Sequence, residues 1–340
     1  MERLFTKKEY RTYSRICSLS EPGIMQMMHT FLKQRYDRII YTPLYIIAIG
    51  DIPIGLCAHA DTVFSRPPSL DNFFYDQERN VVWNPDGAGA DDRAGIFAII
   101  DILKHTDLRP SIIITTGEES CCYGSSKLCY QIPTFPVELK FLIQLDRRGK
   151  NDAVYYDCAN EGFTKYINSF GFETAIGSYT DISVLAPHFG CAAVNLSIGY
   201  YDEHTNIERL HVGYMFDTID KVLKILHDHQ NAKFYEYIER PRNNMIKSVI
   251  DYYNGTLMCA KCGNTANMQE ILPIDDTTTG KYINICLDCY AKLYDKIAWC
   301  NQCYKGVLFD KPVDRDSLYT CEDCKKHSAI KITGLKKIKK

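Results

Sequence analysis

Apolar residues in this chain come in short runs that alternate with stretches of helical spacing. Leu44-Tyr45-Ile46-Ile47-Ala48-Ile49 and Ile54-Gly55-Leu56-Cys57-Ala58 flank Gly50-Asp51-Ile52-Pro53 and predict a pair of strands. Ser111-Ile112-Ile113-Ile114-Thr115, Phe141-Leu142-Ile143-Gln144-Leu145 and Ala192-Ala193-Val194-Asn195-Leu196 predict further buried strands. Between them Ile96, Ile99, Ile100 and Leu103 recur at helical spacing, which predicts a helix opened by Asp91 and running through His105. A second helix is predicted from about Val212 to His229, and residues 1–35 read as amphipathic helix broken at Pro22-Gly23. Residues 64–90 hold few apolar runs beyond Val81-Val82-Trp83 and read as a long connection.

Strands alternating with helices predict an α/β fold: a mixed, mostly parallel sheet with helices on both faces. Acidic and histidine residues fall at or just past the C-terminal ends of the strands, where open α/β sheets place their ligand sites. A different segment follows. From about 235 to 257 the chain is charged and tyrosine-rich, with Arg240-Pro241-Arg242-Asn243-Asn244 as a joint, and cysteine pairs begin after it. The expected organisation is a domain at 1–240, a linker at 241–257, a small zinc-stabilised Cys-rich domain at 258–327 and a basic tail at 328–340.

Composition narrows the class without choosing within it. The chain of 340 residues is 46% apolar and 24% charged, ordinary for a soluble globular protein. A formal net charge of −2 gives no global case for nucleic-acid or membrane binding. The most apolar run, Ile39 to Gly50, is interrupted by Pro43 and too short to span a bilayer. The N-terminal residues lack the apolar core of a signal peptide, so a cytoplasmic location is expected.

The chemistry concentrates in five stretches. His59 and Asp61 form a His-x-Asp, whose alternation along an extended segment puts both side chains on one face, the aspartate placed to orient the imidazole. Asp91-Asp92 sits in Gly89-Ala90-Asp91-Asp92-Arg93-Ala94-Gly95; Glu118-Glu119 follows an apolar strand, and Asp146 ends another. His204 lies in His204-Thr205-Asn206-Ile207-Glu208. Each alone has a bland explanation: a loop histidine, a helix N-cap, a surface turn, an aspartate neutralised by Arg147 and Arg148, a solvated imidazole. Together, in this order and at strand ends, they supply what two zinc ions sharing one carboxylate need. His59 and Asp146 would serve one ion, Glu119 and His204 the other, with Asp91 between them. Glu118 is left over beside a ligand, where a general base belongs.

The order His-x-Asp, Asp, Glu-Glu, Asp, His resembles the co-catalytic dizinc exopeptidases, which include zinc aminopeptidases, tripeptidases and their carboxypeptidase and acyl-amino-acid hydrolase relatives. The Gly-Ala-Asp91-Asp92-Arg93-Ala-Gly stretch is similar to the version in tripeptidases and glutamyl-type aminopeptidases, and His204-Thr205-x-x-Glu208 to the last-ligand motif. Thr180-Asp181 resembles a further recurring element before a helix near the pocket. The resemblance spans roughly residues 40–230. It implies a metallopeptidase in which Glu118 activates a metal-bridging water and returns the proton to the leaving amine, with Asp61 supporting His59. Only 57 residues separate Asp146 from His204 and only 29 lie between Asp61 and Asp91, too few for the extra domains that relatives insert at either place. The layout is therefore that of a minimal catalytic domain, closest to single-domain aminopeptidases. A deacylase or other amidohydrolase of the same superfamily is the near alternative. Asp181 and Glu203 are both open as the acidic group that holds a substrate amine. Tyr200 and Tyr201, just before His204, are placed to stabilise an oxyanion or line the specificity pocket, but among 24 tyrosines packing is the first assignment. Arg147 and Arg148 are divided between binding a substrate carboxylate and ordinary surface positions.

Of 15 cysteines, eight form four Cys-x-x-Cys pairs: Cys259/Cys262, Cys286/Cys289, Cys300/Cys303 and Cys321/Cys324. Each pair presents half of a tetrahedral thiolate site, so two structural zinc ions are expected beside the two catalytic ones. Serial ribbons and an interleaved cross-brace are both compatible with the spacing. Protein or substrate docking is the favoured role of this module and nucleic-acid binding the next; a peptide or aminoacyl substrate is the expected partner of the first domain, with no membrane. A non-catalytic zinc-ribbon adaptor on a retired peptidase scaffold is the alternative from outside the enzyme class. The scattered Cys17, Cys57, Cys121, Cys122, Cys129, Cys158 and Cys191 read as packing residues, with Cys121-Cys122 close enough to the Glu pair to border the site.

Overall fold

The computed structural model describes residues 2–240, 257–263, 265–266, 271–279, 281–299 and 306–313. The chain folds as two units, Met1–Arg240 and Pro241–Lys340, and the described residues of each have their own core.

In the first unit, α1 (Lys7–Cys17) and α2 (Glu21–Leu32) precede β1 (Ile39–Tyr41), β2 (Tyr45–Ala48) and β3 (Ile52–His59). The break between the helices falls at residues 18–20, just before the expected place. Ser20 caps α2 by accepting a hydrogen bond from the Gly23 amide, and Pro22 sits in the first turn, where its missing N–H costs nothing. Then come β4 (Phe74–Asp76), β5 (Val81–Trp83), α3 (Ala90–Lys104), β6 (Pro110–Thr115), α4 (Tyr123–Gln131) and β7 (Phe141–Arg147). The unit continues with β8 (Asp152–Val154), α5 (Glu161–Asn168), β9 (Glu173–Ala175), α6 (Asp181–Phe189), β10 (Ala193–Ser197), β11 (Tyr200–Tyr201), β12 (Arg209–His211) and α7 (Val212–His227).

Eight strands form the main sheet in the order β1-β2-β6-β3-β7-β10-β8-β9. The central pairs β6–β3, β3–β7 and β7–β10 are parallel, while β1–β2, β2–β6 and β10–β8 are antiparallel. This is the mixed, mostly parallel sheet with helices that the hydrophobic pattern predicts. Period-two alternation sorts each central strand between two cores. Ile46, Leu56, Ala58, Ile112, Ile114, Ile143 and Leu145 face one side, packed with α1, α2, α3 and α7 residues. Tyr45, Ile47, Cys57, Ile113 and Leu142 face the other, against Leu128 of α4 and Ile182 and Leu185 of α6. Burial on both faces explains why these strands read as unbroken apolar runs.

The long connection is more ordered than its sequence suggests. β4 and β5 join β11 and β12 in a second sheet, order β11-β12-β5-β4, in which Leu210 pairs with Val82. That pairing brings the segment after His204 back to the one before Asp91.

In the second unit, β13 (Leu257–Met258) pairs with β14 (Thr265–Ala266). A four-stranded sheet orders β16 (Lys281–Cys286), β15 (Ile271–Asp276), β18 (Gly306–Leu308) and β17 (Ile297–Trp299), with α8 (Leu287–Lys292) following β16. Cys300, Cys303, Cys321 and Cys324, most of the expected linker and the basic tail lie outside the described residues.

A tight seam in the first unit lies where α3 crosses β7. A Cβ on Gly95 would stand 2.3 Å from the Leu145 carbonyl oxygen and 2.4 Å from Asp92 Oδ1. Gly95→Ala is expected to destabilise the protein by about 1–3 kcal/mol, the usual cost of overpacking. Thermal denaturation of the variant beside the parent protein will measure the loss.

Candidate metal centre

Four chain segments converge at the C-terminal edge of the parallel strands. β3 ends at His59, β6 runs into Glu118-Glu119, β7 carries Asp146, and the chain beyond β10 carries His204. Asp91 lies among them, at the start of α3. Its Oδ1 is 3.2 Å from His59 Nε2 and its Oδ2 is 3.2 Å from His204 Nε2. His59 Nε2 is also 3.4 Å from Asp146 Oδ1, and His204 Nε2 is 3.0 Å from Glu119 Oε1. One carboxylate thus faces two imidazoles through different oxygens, and each imidazole faces a second carboxylate.

Two of the donor groups within metal-binding reach are His59 with Asp91 and Asp146, and Asp91 with Glu119 and His204. Their spacing fits zinc. Ligands about 2.0–2.2 Å from a tetrahedral ion stand roughly 3.3–3.6 Å from one another, close to the separations found. The charge balance fits as well. Like charges 4 Å apart repel by about 4 kcal/mol at an effective dielectric of 20, so carboxylates gathered this closely call for either protons or cations.

The start of α3 is shaped for this. The backbone at Asp91 (φ −82°, ψ 108°) and Asp92 (φ −112°, ψ 38°) is not helical, and the peptide between them is cis. Regular helix therefore begins after Asp92 rather than at Asp91. Asp92 is the residue that caps it: Oδ1 accepts from the Gly95 amide at 3.0 Å, while Oδ2 accepts from the His59 amide at 3.1 Å. The helix-cap and ligand readings of this pair thus belong to different residues, Asp92 to the cap and Asp91 to the cluster. Glu208, fully buried, accepts from the amides of Ala90 at 2.9 Å and Asp91 at 3.2 Å.

Asp61 reaches both the first histidine and the Glu pair. Its Oδ1 lies 3.3 Å from His59 Nδ1, and its oxygens accept from the Glu118 amide at 3.2 Å and the Glu119 amide at 3.1 Å. Asp146 is fixed by Gln144 and Asn195, to which the sequence assigned no role, together with Thr180 and Tyr200. Gln144 Nε2 and Thr180 Oγ1 donate to Oδ2 at 3.0 and 2.9 Å, and Tyr200 OH lies 3.3 Å from Oδ1. Asn195 holds the Asp146 main chain at both N–H and carbonyl. A sequence signal existed for Gln144 and Asn195: an amide inside an otherwise apolar buried strand must find partners.

Asp91, Glu118, Glu119, Asp146 and His204 line a common cavity of about 280 Å³, and Arg147, Arg148, Tyr200 and Glu203 line it with them. Asp181 is not among its lining residues; it is buried, bonded to Thr115 Oγ1. Cys121 and Cys122 do not line it either. Of the scattered cysteines, Cys17, Cys57, Cys122, Cys158 and Cys191 are buried, Cys129 is half-buried and Cys121 is exposed.

Burial pushes the Glu118 carboxyl up to about 9, with Asp146, Asp181 and Glu119 adding to the shift against His59. Burial likewise moves Asp146 up to about 7. Burial opposes ionisation of Asp91, yet His204 and His59 hold it well below the usual carboxylate range. The hydrogen bond to Asp91 raises His204 to about 9.

In the second unit, the thiols of Cys259, Cys262, Cys286 and Cys289 lie within 4.8 Å of one another. The Cys262 and Cys286 sulfurs are 3.8 Å apart, the separation that zinc–sulfur bonds of about 2.3 Å give in a tetrahedron. The first two Cys-x-x-Cys pairs therefore come together, as a serial arrangement requires. Among the described residues no helix is long and apolar enough to cross a membrane.

No protein-family model matches the chain, and no curated protein matches it. Solved structures do. Aminopeptidase PepT from Bacillus cereus superimposes with a TM-score of 0.55 at 14% identity, over 67% of this chain and 99% of that one. A tripeptidase from Staphylococcus aureus gives 0.55 at 12% identity, over 67% of this chain and 100% of that one. An aminopeptidase from the archaeon Desulfurococcus kamchatkensis gives 0.51 at 13%, over 66% and 98%. The chain has the fold of these peptidases, the one that its motif order resembles.

Stripped of metal, the cluster is expected to make stability fall as pH rises. Folded-state values above the unfolded ones mean that the native form keeps protons which the unfolded form releases. Asp146 contributes between 3.8 and about 7, Glu118 between 4.5 and about 9, and His204 between 6.5 and about 9. The melting temperature of chelated protein should drop from pH 5 to pH 9, with added zinc raising it most at the alkaline end. A melting temperature that climbs over that range would contradict the buried-carboxylate account.

Proposed function

We propose that the protein is a dizinc metallopeptidase acting as an aminopeptidase. The observation that carries this reading is the Asp91 carboxylate, whose two oxygens face His59 and His204 at 3.2 Å each. His59, Asp91 and Asp146 would hold one zinc ion, and Asp91, Glu119 and His204 the other. Bound there, the ions supply Lewis acidity toward a scissile carbonyl and lower the pKa of a water.

The rest falls to the chain. Asp61 holds the His59 ring through Nδ1 and, by accepting from the Glu118 and Glu119 amides, fixes the backbone that presents both carboxylates. Glu118 lines the cavity. Its carboxylate takes a proton from the attacking water and delivers it to the departing amine. Burial and the neighbouring acids push its pKa upward, which favours proton acceptance, and bound ions would lower it again far enough for the carboxylate to be ionised and free to act. Tyr200, which lines the cavity, places its hydroxyl 3.3 Å from Asp146 Oδ1 and helps to hold that carboxylate. Of the two acidic groups considered for the substrate amine, Glu203 lines the cavity and Asp181 does not, so the amine is assigned to Glu203. Cys259, Cys262, Cys286 and Cys289 would hold a structural zinc ion that folds the second unit.

Glu118→Gln preserves size and removes the base. It is expected to lower kcat on aminoacyl and peptide substrates by about 10²–10⁴ while zinc content stays that of the parent. Undiminished turnover in this variant would exclude the assigned role. Elemental analysis gives an independent check. The full chain is expected to bind about four zinc ions, and His59→Ala to lose at least about one of them.

A further inference from the structure

Arg147 and Arg148 follow Asp146 directly, and both line the cavity with Glu118 and His204. They are held differently. The Arg147 guanidinium donates through Nη2 to the Ile176 carbonyl at 3.2 Å and to Asp152 at 3.4 Å. It ties down the segment that leads to Ser178 and Tyr179 on the cavity wall. Arg148, with its side chain 56% exposed, pairs at 2.8 Å with Glu203, which lines the same cavity.

That pair joins the residue just before His204 to the residue two beyond Asp146. An exposed ion pair contributes little to holding a fold together. What it does is keep a planar cation, suited to grip a carboxylate by two parallel hydrogen bonds, poised at the cavity. Arg148 lies two residues beyond Asp146, and both line the same cavity. The cavity of about 280 Å³ lies just under the range of roughly 300–1,000 Å³ typical of small-molecule sites. It has room for a short ligand.

We infer that Arg148 is a specificity-determining residue that binds a substrate carboxylate one or two residues from the scissile bond, taking it in exchange for Glu203. A zwitterionic substrate divides the ion pair: its amine goes to Glu203 and its carboxylate to Arg148. The favoured substrates are then short peptides with a free C-terminus or an acidic side chain at that distance. The inference rests on the peptidase reading for the word substrate, but not for the binding it predicts.

The test separates the two. Zinc-loaded full-length protein is titrated calorimetrically with dipeptide analogues whose amide is replaced by CH2–NH, so that binding is measured whether or not the protein hydrolyses peptides. The analogues carry a free C-terminal carboxylate, a C-terminal amide, or an amide with either an aspartyl or an asparaginyl side chain. Wild-type protein is expected to bind one of the carboxylate forms about tenfold more tightly than its uncharged counterpart. Which form is preferred names the source, C-terminus or side chain. In Arg148→Gln the preference for the carboxylate forms should vanish, and Arg148→Lys should restore part of it. Equal binding of charged and uncharged forms by the wild type, or a preference that survives in Arg148→Gln, overturns the inference. Turnover of ordinary peptides, measured alongside, decides the peptidase reading alone.

Discussion

The first unit is built around carboxyl groups that have been taken out of water. Asp61, Asp91, Asp92, Asp146, Asp181 and Glu208 are all buried, and the native chain tolerates them only because each has a specific answer. Most of the answers are neutral donors. Main-chain amides serve Asp61, Asp92 and Glu208, a hydroxyl serves Asp181, and an amide and a hydroxyl serve Asp146. Asp61 and Asp146 each also face the His59 ring, but Asp91 alone of the six faces two imidazoles. Its oxygens face imidazoles and its amide is held by another acid, so its charge is compensated by groups that cations would also use.

The sheet is arranged to meet that demand. Parallel strands end together, so four segments distant in sequence deliver donors to one edge, while the apolar faces of the same strands anchor them in two cores. The small second sheet belongs to the same arrangement. By pairing β12 with β5 it returns the chain from His204 to the entrance of α3, where Glu208 reaches the Asp91 amide. Without that return, the turn carrying Asp91 and Asp92 would present main-chain N–H groups to a dry interior with nothing to receive them.

Much of this was legible in the sequence. The central strands announce themselves because burial on both faces demands apolar residues at every position, and four of the five acidic and histidine stretches stand at or beyond their ends, the fifth opening α3. What was hidden is short or carries compensating chemistry. β8 and β9 are three residues each and half polar, and α6 contains Pro187. Their existence depends on neighbours more than on local preference. Tyr200 is one tyrosine among 24 until its hydroxyl is seen on Asp146. Asp91 and Asp92 look interchangeable in sequence; only the backbone between them, which turns one outward to the imidazoles and the other inward to two amides, tells them apart. The positions of Arg147 and Arg148 could be weighed but not decided, because an arginine after a strand end can face either way.

The cluster at Asp91 also has an order in time. Chain synthesis runs from the N-terminus, so His59, Asp91 and Asp146 exist together well before His204 and Glu208 are made. In that interval Asp91 has one imidazole and lacks the acid that seats its amide. At that point every acidic member of the cluster but Glu208 has been made, and His204 is the metal-ligand candidate still to come. The segment from β11 to α7, which brings His204 and Glu208, is therefore the piece that completes the cluster of the first unit.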